Sequence, residues 1–154
     1  MTLMEAMQAR HSVRQYREEA LRKEDAALLR EEIEACNAES GLHIQLVCGE
    51  PKAFSGLLAR YGKFSGVTNY IALVGKKGPD LSETCGYFGE RIVLRAQQIG
   101  LNTCWVAMTY SKVPSAFSAG EGEKLCAVIA VGYGKTQGSG HRVKSLREVT
   151  EGEP

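Results

Sequence analysis

The sequence predicts an α+β fold in one domain. The chain has 154 residues, enough for one sizeable core and too few for two domains of ordinary size. Helix-like and strand-like segments follow one another as helix, helix, strand, helix, strand, helix, strand, strand, with no internal repeat and no dividing linker. Apolar residues make up 44% and charged residues 24% of the chain, which places it among globular proteins rather than disordered or membrane chains.

Residues 2–10 read as the first helix, with Leu3, Met4 and Met7 on one face and Thr2 placed to cap its start. Residues 22–39 form the clearest amphipathic helix. Ala26, Leu29, Ile33 and Cys36 recur every three or four positions, with the charges mostly elsewhere, and Gly41 is a stop signal. LHIQLVCG (42–49) alternates as a strand does. PKAFSGLLARYG (51–62) opens with Pro and closes with Gly, the expected asymmetry of a helix. NYIALVG (69–75) is an apolar run of strand length, and KKGPD (76–80) is a turn. LSETCGYFGERIVLRAQQIG (81–100) is the longest helix. Cys85, Phe88, Ile92, Ala96 and Ile99 mark one face, while Tyr87, Val93 and Leu94 fall off it, so burial on more than one side is expected, in the core or at a dimer interface. NTCWVAM (102–108) and LCAVIAVGYG (125–134) are two more strands. GKTQGSGH (134–141) reads as a Gly/Ser-rich loop. The acidic end, EVTEGEP (148–154), reads as disordered, so the domain is taken as 1–149 with a disordered tail at 150–154.

Charge and composition narrow the function. Lys plus Arg is 19 and Asp plus Glu is 18, so no whole-molecule field draws nucleic acid or a membrane surface, and anion binding must come from local clustering. Cys36, Cys48, Cys85, Cys104 and Cys126 form no CxxC, and an odd, scattered set reads as reduced thiols in a cytoplasmic protein. His11, His43 and His141 lie far apart, so no metal site has spacing support. The N-terminus lacks the apolar core of a signal peptide, and no apolar run approaches membrane-spanning length.

Several segments invite chemistry and are weighed against plainer readings. VGYGKTQGSG contains GKT, but the phosphate-loop spacing requires Gly where Ile129 stands, and GxGxxG fails at Gln137. A strand ending in a flexible loop remains. Between Lys124 and Glu148 the chain has no acid, while Lys135, His141, Arg142, Lys144 and Arg147 all occur. A solvated basic loop explains that alone. QARHSVRQY (8–16) is a second basic cluster with a hydroxyl; if the two meet, Arg, Lys and Ser donors converge as a phosphate site requires. Trp105 reads as a core aromatic, with interest in the backbone just after it. Glu83 and Glu90 read as solvated helix carboxylates. No hydrolytic triad, paired carboxylate motif or HExxH is present, so any catalysis calls for a bound cofactor.

Three segments together resemble the FMN-dependent nitroreductase family, and most closely its atypical TM-type branch. ARHSVRQY is similar to that family's opening Arg-x-Ser-x-Arg/Lys-x-Phe/Tyr. GYFGERIVLRAQQIGLNTCWVAM is similar to its long core helix, Gly-Leu and the strand that reaches the flavin. VGYGKTQGSGHRVKSLREV is similar to its closing strand, loop and basic pair. The resemblance implies a three-layer fold, with a central mixed or antiparallel sheet of four to five strands flanked by helices. It also implies a homodimer with the flavin at the subunit interface.

The resemblance further implies site roles. Arg10, His11 and Ser12 match positions that hold the FMN ribityl phosphate, and Arg142 and Lys144 match the closing basic pair there. Arg14 matches the basic residue near N1 and O2 of the flavin, with Lys63 a weaker match to a basic residue near the ring. Ala107 and Met108 match the segment whose N–H groups face N5 and O4. The implied activity is hydride transfer from NADH or NADPH through flavin N5 to a nitroaromatic, quinone or similar small-molecule acceptor. No protein acid is required, and Arg14 serves as an electrostatic stabiliser. CNAESGLHIQLV stands where common members carry an Asn and Gln-Pro-Trp stretch. In the TM-type branch a comparable Asn/Gln stretch follows the closing basic segment, and this chain ends at EGEP before one, so it reads as C-terminally truncated. The alternative is therefore a non-catalytic dimeric domain of the same fold with an impaired flavin or anion pocket.

Overall fold

In the computed structural model, which describes residues 1–140 and 143–152, Thr2 caps the first helix, α1 (Leu3–Ala9), by a reciprocal box. Its hydroxyl accepts the Glu5 N–H at 3.2 Å, and the Glu5 carboxylate accepts the Thr2 N–H at 2.7 Å. The long second helix, α2 (Lys23–Ser40), stops at Gly41, whose φ of 72° only glycine adopts freely. An edge strand follows, β1 (Gln45–Val47), much shorter than the alternation of 42–49 predicts. Short edge strands limit unwanted pairing with other chains.

The helix expected over 51–62 is in fact two pieces, a 3₁₀ turn at Lys52–Phe54 and α3 (Leu57–Tyr61). Ser55–Gly56 breaks it, with Gly56 extended at ψ 178°. The break sends Phe54 into an aromatic group with Phe64, Tyr70 and Tyr110, their ring centroids 5.2, 6.0 and 6.4 Å from its own. The remaining elements lie close to their predicted bounds: β2 (Tyr70–Lys76), α4 (Leu81–Gln98), β3 (Asn102–Val106) and β4 (Glu123–Gly132). A last short helix, α5 (Leu146–Val149), is capped by Ser145 with Glu148. It corrects the expectation that Glu148 and Val149 begin a disordered tail; Glu153 and Pro154 lie outside the described residues.

The sheet has order β1-β2-β4-β3 and is antiparallel throughout. The one-residue alternation of the two central strands builds both layers. Tyr70, Ala72 and Val74 with Val128 and Ala130 face one side, packing with Val13, Tyr16, Phe54, Phe64 and Tyr110. Ile71 and Leu73 with Ile129 and Val131 face the other, against Leu29 and Ile33 of α2 and Cys85, Ile92 and Val93 of α4. The result is three layers, as expected, with one core on each face of the sheet. Burial on two sides of α4 accounts for Val93 and Leu94, but Tyr87 stays 65% exposed. In β4 the register slips so that Cys126 has no opposite residue in β2, a bulge that faces both Cys126 and Ala127 toward the α4 side. No helix among the described residues is long and apolar enough to cross a membrane.

Candidate functional site

The site begins where α1 ends. Arg10 has extended dihedrals, φ −72° and ψ 125°, and isolated bridges follow at Ser12 with Thr103, Gln15 with Ser65 and Tyr16 with Gly134. The backbone of this segment is stitched to three places distant in sequence. Val13 N–H donates to Thr103 O at 3.0 Å, and Tyr16 N–H to Ser65 O at 2.9 Å. Arg17 N–H donates to Tyr133 O at 2.9 Å, and Lys135 N–H to Gln15 O at 2.9 Å. Val13 and Tyr16 go into the core, 2% and 1% exposed, which turns Ser12 and Arg14 outward.

The outward side chains line a cleft of about 440 Å³ together with Arg10, Lys63, Thr136 and Gly138. That is the size range of small-molecule and cofactor sites. Arg10, Arg14 and Lys63 bring three cations, and among the described residues no carboxylate lines the cleft. The Nη1 of Arg10 is buried with no hydrogen-bond acceptor among the described residues. A buried donor left unmade costs about 1–3 kcal/mol, more when charged. An anion in the cleft would remove that cost.

Backbone geometry closes the cleft from two sides. Lys63 adopts φ 60°, the only non-glycine residue among those described with positive φ. It is held there by Phe64, whose N–H donates to Ala59 O at 2.9 Å and whose ring is buried. Such backbone conformations persist where the surroundings over-determine them, and they gather at functional sites. Opposite, Gly138 has φ 83°, and a Cβ there would come within 2.6 Å of His11 Cβ. Only glycine lets that loop lie on residues 11–12. Beneath the cleft, burial pushes the Cys104 thiol up, opposed by the charge of Arg14, a hydrogen bond with Ser12 and the charge of Arg10. Burial likewise raises Tyr16.

The predicted residues divide clearly. Arg10, Ser12, Arg14 and Lys63 come together. His11 does not line the cleft; it packs under the 138–140 loop. Ala107 and Met108 lie in bends just past the end of β3, outside the cleft lining, and Met108 is 81% exposed. The following residue, Thr109, stands against Gly62, the neighbour of Lys63, so this segment sits beside the Lys63 edge. Lys144 is exposed and does not line the cleft. Arg142 lies outside the described residues.

Sequence reasoning missed Gln15, Thr136, Gly138 and Ser139, all on the cleft wall. The signal for the last three was present in GKTQGSG, set aside because it fits no nucleotide-loop spacing. Glu90 is also more than a solvated carboxylate. It accepts Trp105 Nε1–H at 2.9 Å and lies 3.6 Å from Arg10 Nε. Trp105 itself is half-buried rather than fully in the core. No group of three or more His, Cys, Asp or Glu side chains among the described residues could hold a metal.

Solved structures with this fold include a nitroreductase from Desulfovibrio desulfuricans in complex with FMN. It is 20% identical with a TM-score of 0.75, over 100% of this chain and 98% of that one. A nitroreductase with bound FMN from Bacteroides fragilis is 19% identical with a TM-score of 0.69, over 100% and 99%. An FMN and NADPH-dependent nitroreductase from Sphigopyxis is 15% identical with a TM-score of 0.71, over 99% of each chain. No curated protein matches in sequence. The family model described as "Putative TM nitroreductase" matches residues 2–154, and the chain, with this fold and this basic cleft, belongs to that family.

Proposed function

We propose that the protein is a flavin oxidoreductase that holds FMN in the cleft and uses NADH or NADPH to reduce a small electron-poor acceptor such as a nitroaromatic or a quinone. The observation that carries this reading is the Nη1 of Arg10, buried with no partner among the described residues, in a cleft that three cations and, among those residues, no acid line. Family membership and the FMN bound in similar solved structures support it; a nicotinamide donor is supported by the NADPH dependence of another.

The residues present fit the anionic end of FMN. Arg10 and Ser12 would hold the phosphate, with Thr136 and Ser139 as further hydroxyl donors across the cleft, through charge-assisted hydrogen bonds. Arg14 and Lys63 would set a positive potential along the rest of the cleft, where developing negative charge is stabilised. When bound, the flavin supplies the two-electron chemistry, and the protein supplies position and charge. Arg142 and Lys144 remain candidates for the phosphate end, and Ala107 and Met108 for backbone donors at the Lys63 edge.

The flat ring needs apolar cover that the lining does not give, Val13 being its only large apolar residue among those described. Apolar surface is nevertheless available. Leu3, Met4 and Met7 on α1 are at least half exposed, as are Val143, Leu146 and Val149 near the C-terminus. Contiguous exposed apolar surface marks an interaction site. A second copy of the chain is the proposed partner, completing the flavin site in a homodimer.

The test is a titration of the purified protein with FMN, followed by absorbance and flavin fluorescence, alongside its molar mass by light scattering. Uptake of one FMN per chain by a dimer is expected. R10A should weaken FMN binding by about 10- to 100-fold, the value of one charge-assisted hydrogen bond. R17A, which removes a guanidinium stacked on Tyr133 outside the cleft, should change it little. A colourless protein that takes up no FMN would instead point to a non-catalytic domain of the same fold.

A further inference from the structure

Arg10 reaches the cleft from a chain of contacts that starts in the sheet. Trp105 is on β3, paired in register with Ile129 of β4. Its ring lies on Gly89 of α4, where a Cβ would come within 2.4 Å of it. Its Nε1–H donates to Glu90 Oε2 at 2.9 Å. The other oxygen, Oε1, lies 3.6 Å from Arg10 Nε. One carboxylate therefore joins a strand side chain to the guanidinium at the end of α1.

The geometry of the guanidinium gives this contact a consequence. Its five N–H donors form a rigid planar fork. At 3.6 Å the Glu90 carboxylate is an ion-pair partner of Nε, too far for a hydrogen bond; it draws that edge of the group toward α4 and leaves the Nη atoms for a ligand. Arg10 Nη1 is buried without an acceptor among the described residues. Arg14 and Lys63, the other two cations of the cleft, have no such support: neither forms an ion pair among the described residues, and both side chains are exposed.

We propose that Glu90 is a positioning residue, held by Trp105, that orients Arg10 toward the phosphate of the flavin. This role rests on the reading of the cleft as an FMN site. It makes Arg10 the pre-oriented anchor of the phosphate, while Arg14 and Lys63 act as adaptable charges. Glu90 touches neither phosphate nor ring.

Comparing FMN with riboflavin, which lacks the phosphate, separates this role from a general structural one. Binding of both flavins is measured by fluorescence for wild type, E90A, E90Q and W105F, with far-UV circular dichroism of each. E90A is expected to weaken FMN about 10-fold and riboflavin less than about 2-fold, since only the phosphate contact loses its orientation. E90Q keeps a carbonyl acceptor and is expected to recover part of the FMN affinity. W105F removes the donor that holds Glu90 and is expected to lower FMN affinity in the same selective way, by a smaller factor. Folded E90A that binds FMN as tightly as wild type overturns the role, as does an equal loss of both flavins. Should E90A fail to fold, the same two outcomes in E90Q and W105F decide the matter. Wild-type protein that takes up neither flavin overturns the FMN reading itself, and this role with it.

Discussion

Lys63 serves two opposing ends. Its left-handed backbone, φ 60°, costs an L-residue roughly 1–2 kcal/mol, yet its side chain brings one of three cations to the cleft. Glycine would relieve the backbone and delete the charge. K63G is therefore expected to raise thermal stability by a few degrees, because relief of the left-handed cost exceeds the roughly 0.5–1 kcal/mol of added chain entropy in the unfolded state. It should weaken FMN binding at the same time. A calorimetric scan and a flavin titration on the same sample check both; a K63G protein that is less stable would mean that the backbone there is not strained. Residue identity was the most legible part of this site. Arg10, Ser12 and Arg14 were readable because a basic cluster with a hydroxyl stands out in sequence and matches the opening motif of the family it resembles. Glu90 was not readable, since a carboxylate on a helix looks the same in sequence whether solvated or held by a Trp 15 positions away.

Between elements, the tie that matters most to the cleft is the one from the start of α2 to the end of β4. Tyr133 Oη donates to Asp25 at 2.6 Å and accepts the Arg22 N–H at 3.0 Å, and its ring lies under the guanidinium groups of Arg17 and Arg22. Asp25 is only 8% exposed, so the hydroxyl satisfies a carboxylate with little access to water. Y133F is expected to destabilise the fold by about 1 kcal/mol, measured by urea unfolding, since Asp25 loses its shortest donor and keeps Arg22 Nε at 2.9 Å. Periodicity located the long elements, α2, α4, β2 and β4, because each buries one face or two against a neighbour. It failed over 51–62, where Pro and Gly framed a helix that Ser55–Gly56 divides, and over 42–49, where alternation continues past the residues that pair. Burial repeats along a chain whether or not the backbone is hydrogen-bonded to a neighbour, and that is why the bounds of β1 were hidden.

The molecule as a whole has a marked response to alkali. Burial pushes the Cys36 thiol up to about 11 and the Cys85 thiol up to about 12, against an ordinary value of 9.0. It also pushes the Tyr70 phenol from 10.0 up to about 12, with the charge of Glu50 adding to it. Each group stays protonated in the fold while the unfolded chain already loses its proton. Stability from these groups is complete below about pH 9 and is lost progressively from there to about pH 12. Midpoints of thermal unfolding should fall steeply over that interval, and C36S with C85S should flatten the lower part of the fall. The mixture of helices and strands was legible from the order of elements, and the resemblance supplied the three layers and a mixed or antiparallel centre. What sequence could not show was the meeting of residues 10–16 with the loop at 136–139, because that depends on where β3 and β4 end in space.

That meeting sets an order in time. Tyr16 reaches the carbonyl of Ala130, 114 positions further along, and the wall made by Thr136, Gly138 and Ser139 comes later still. Residues 10–16 can meet Ser65 and then Thr103, but the cleft they line gains its second wall only once nearly all of the described chain is present. Contacts of such long range form slowly, because loop closure precedes any gain from them. No N-terminal fragment can hold the cleft's ligand, so ligand capture by a nascent or refolding chain would report that the sheet between its ends is already complete.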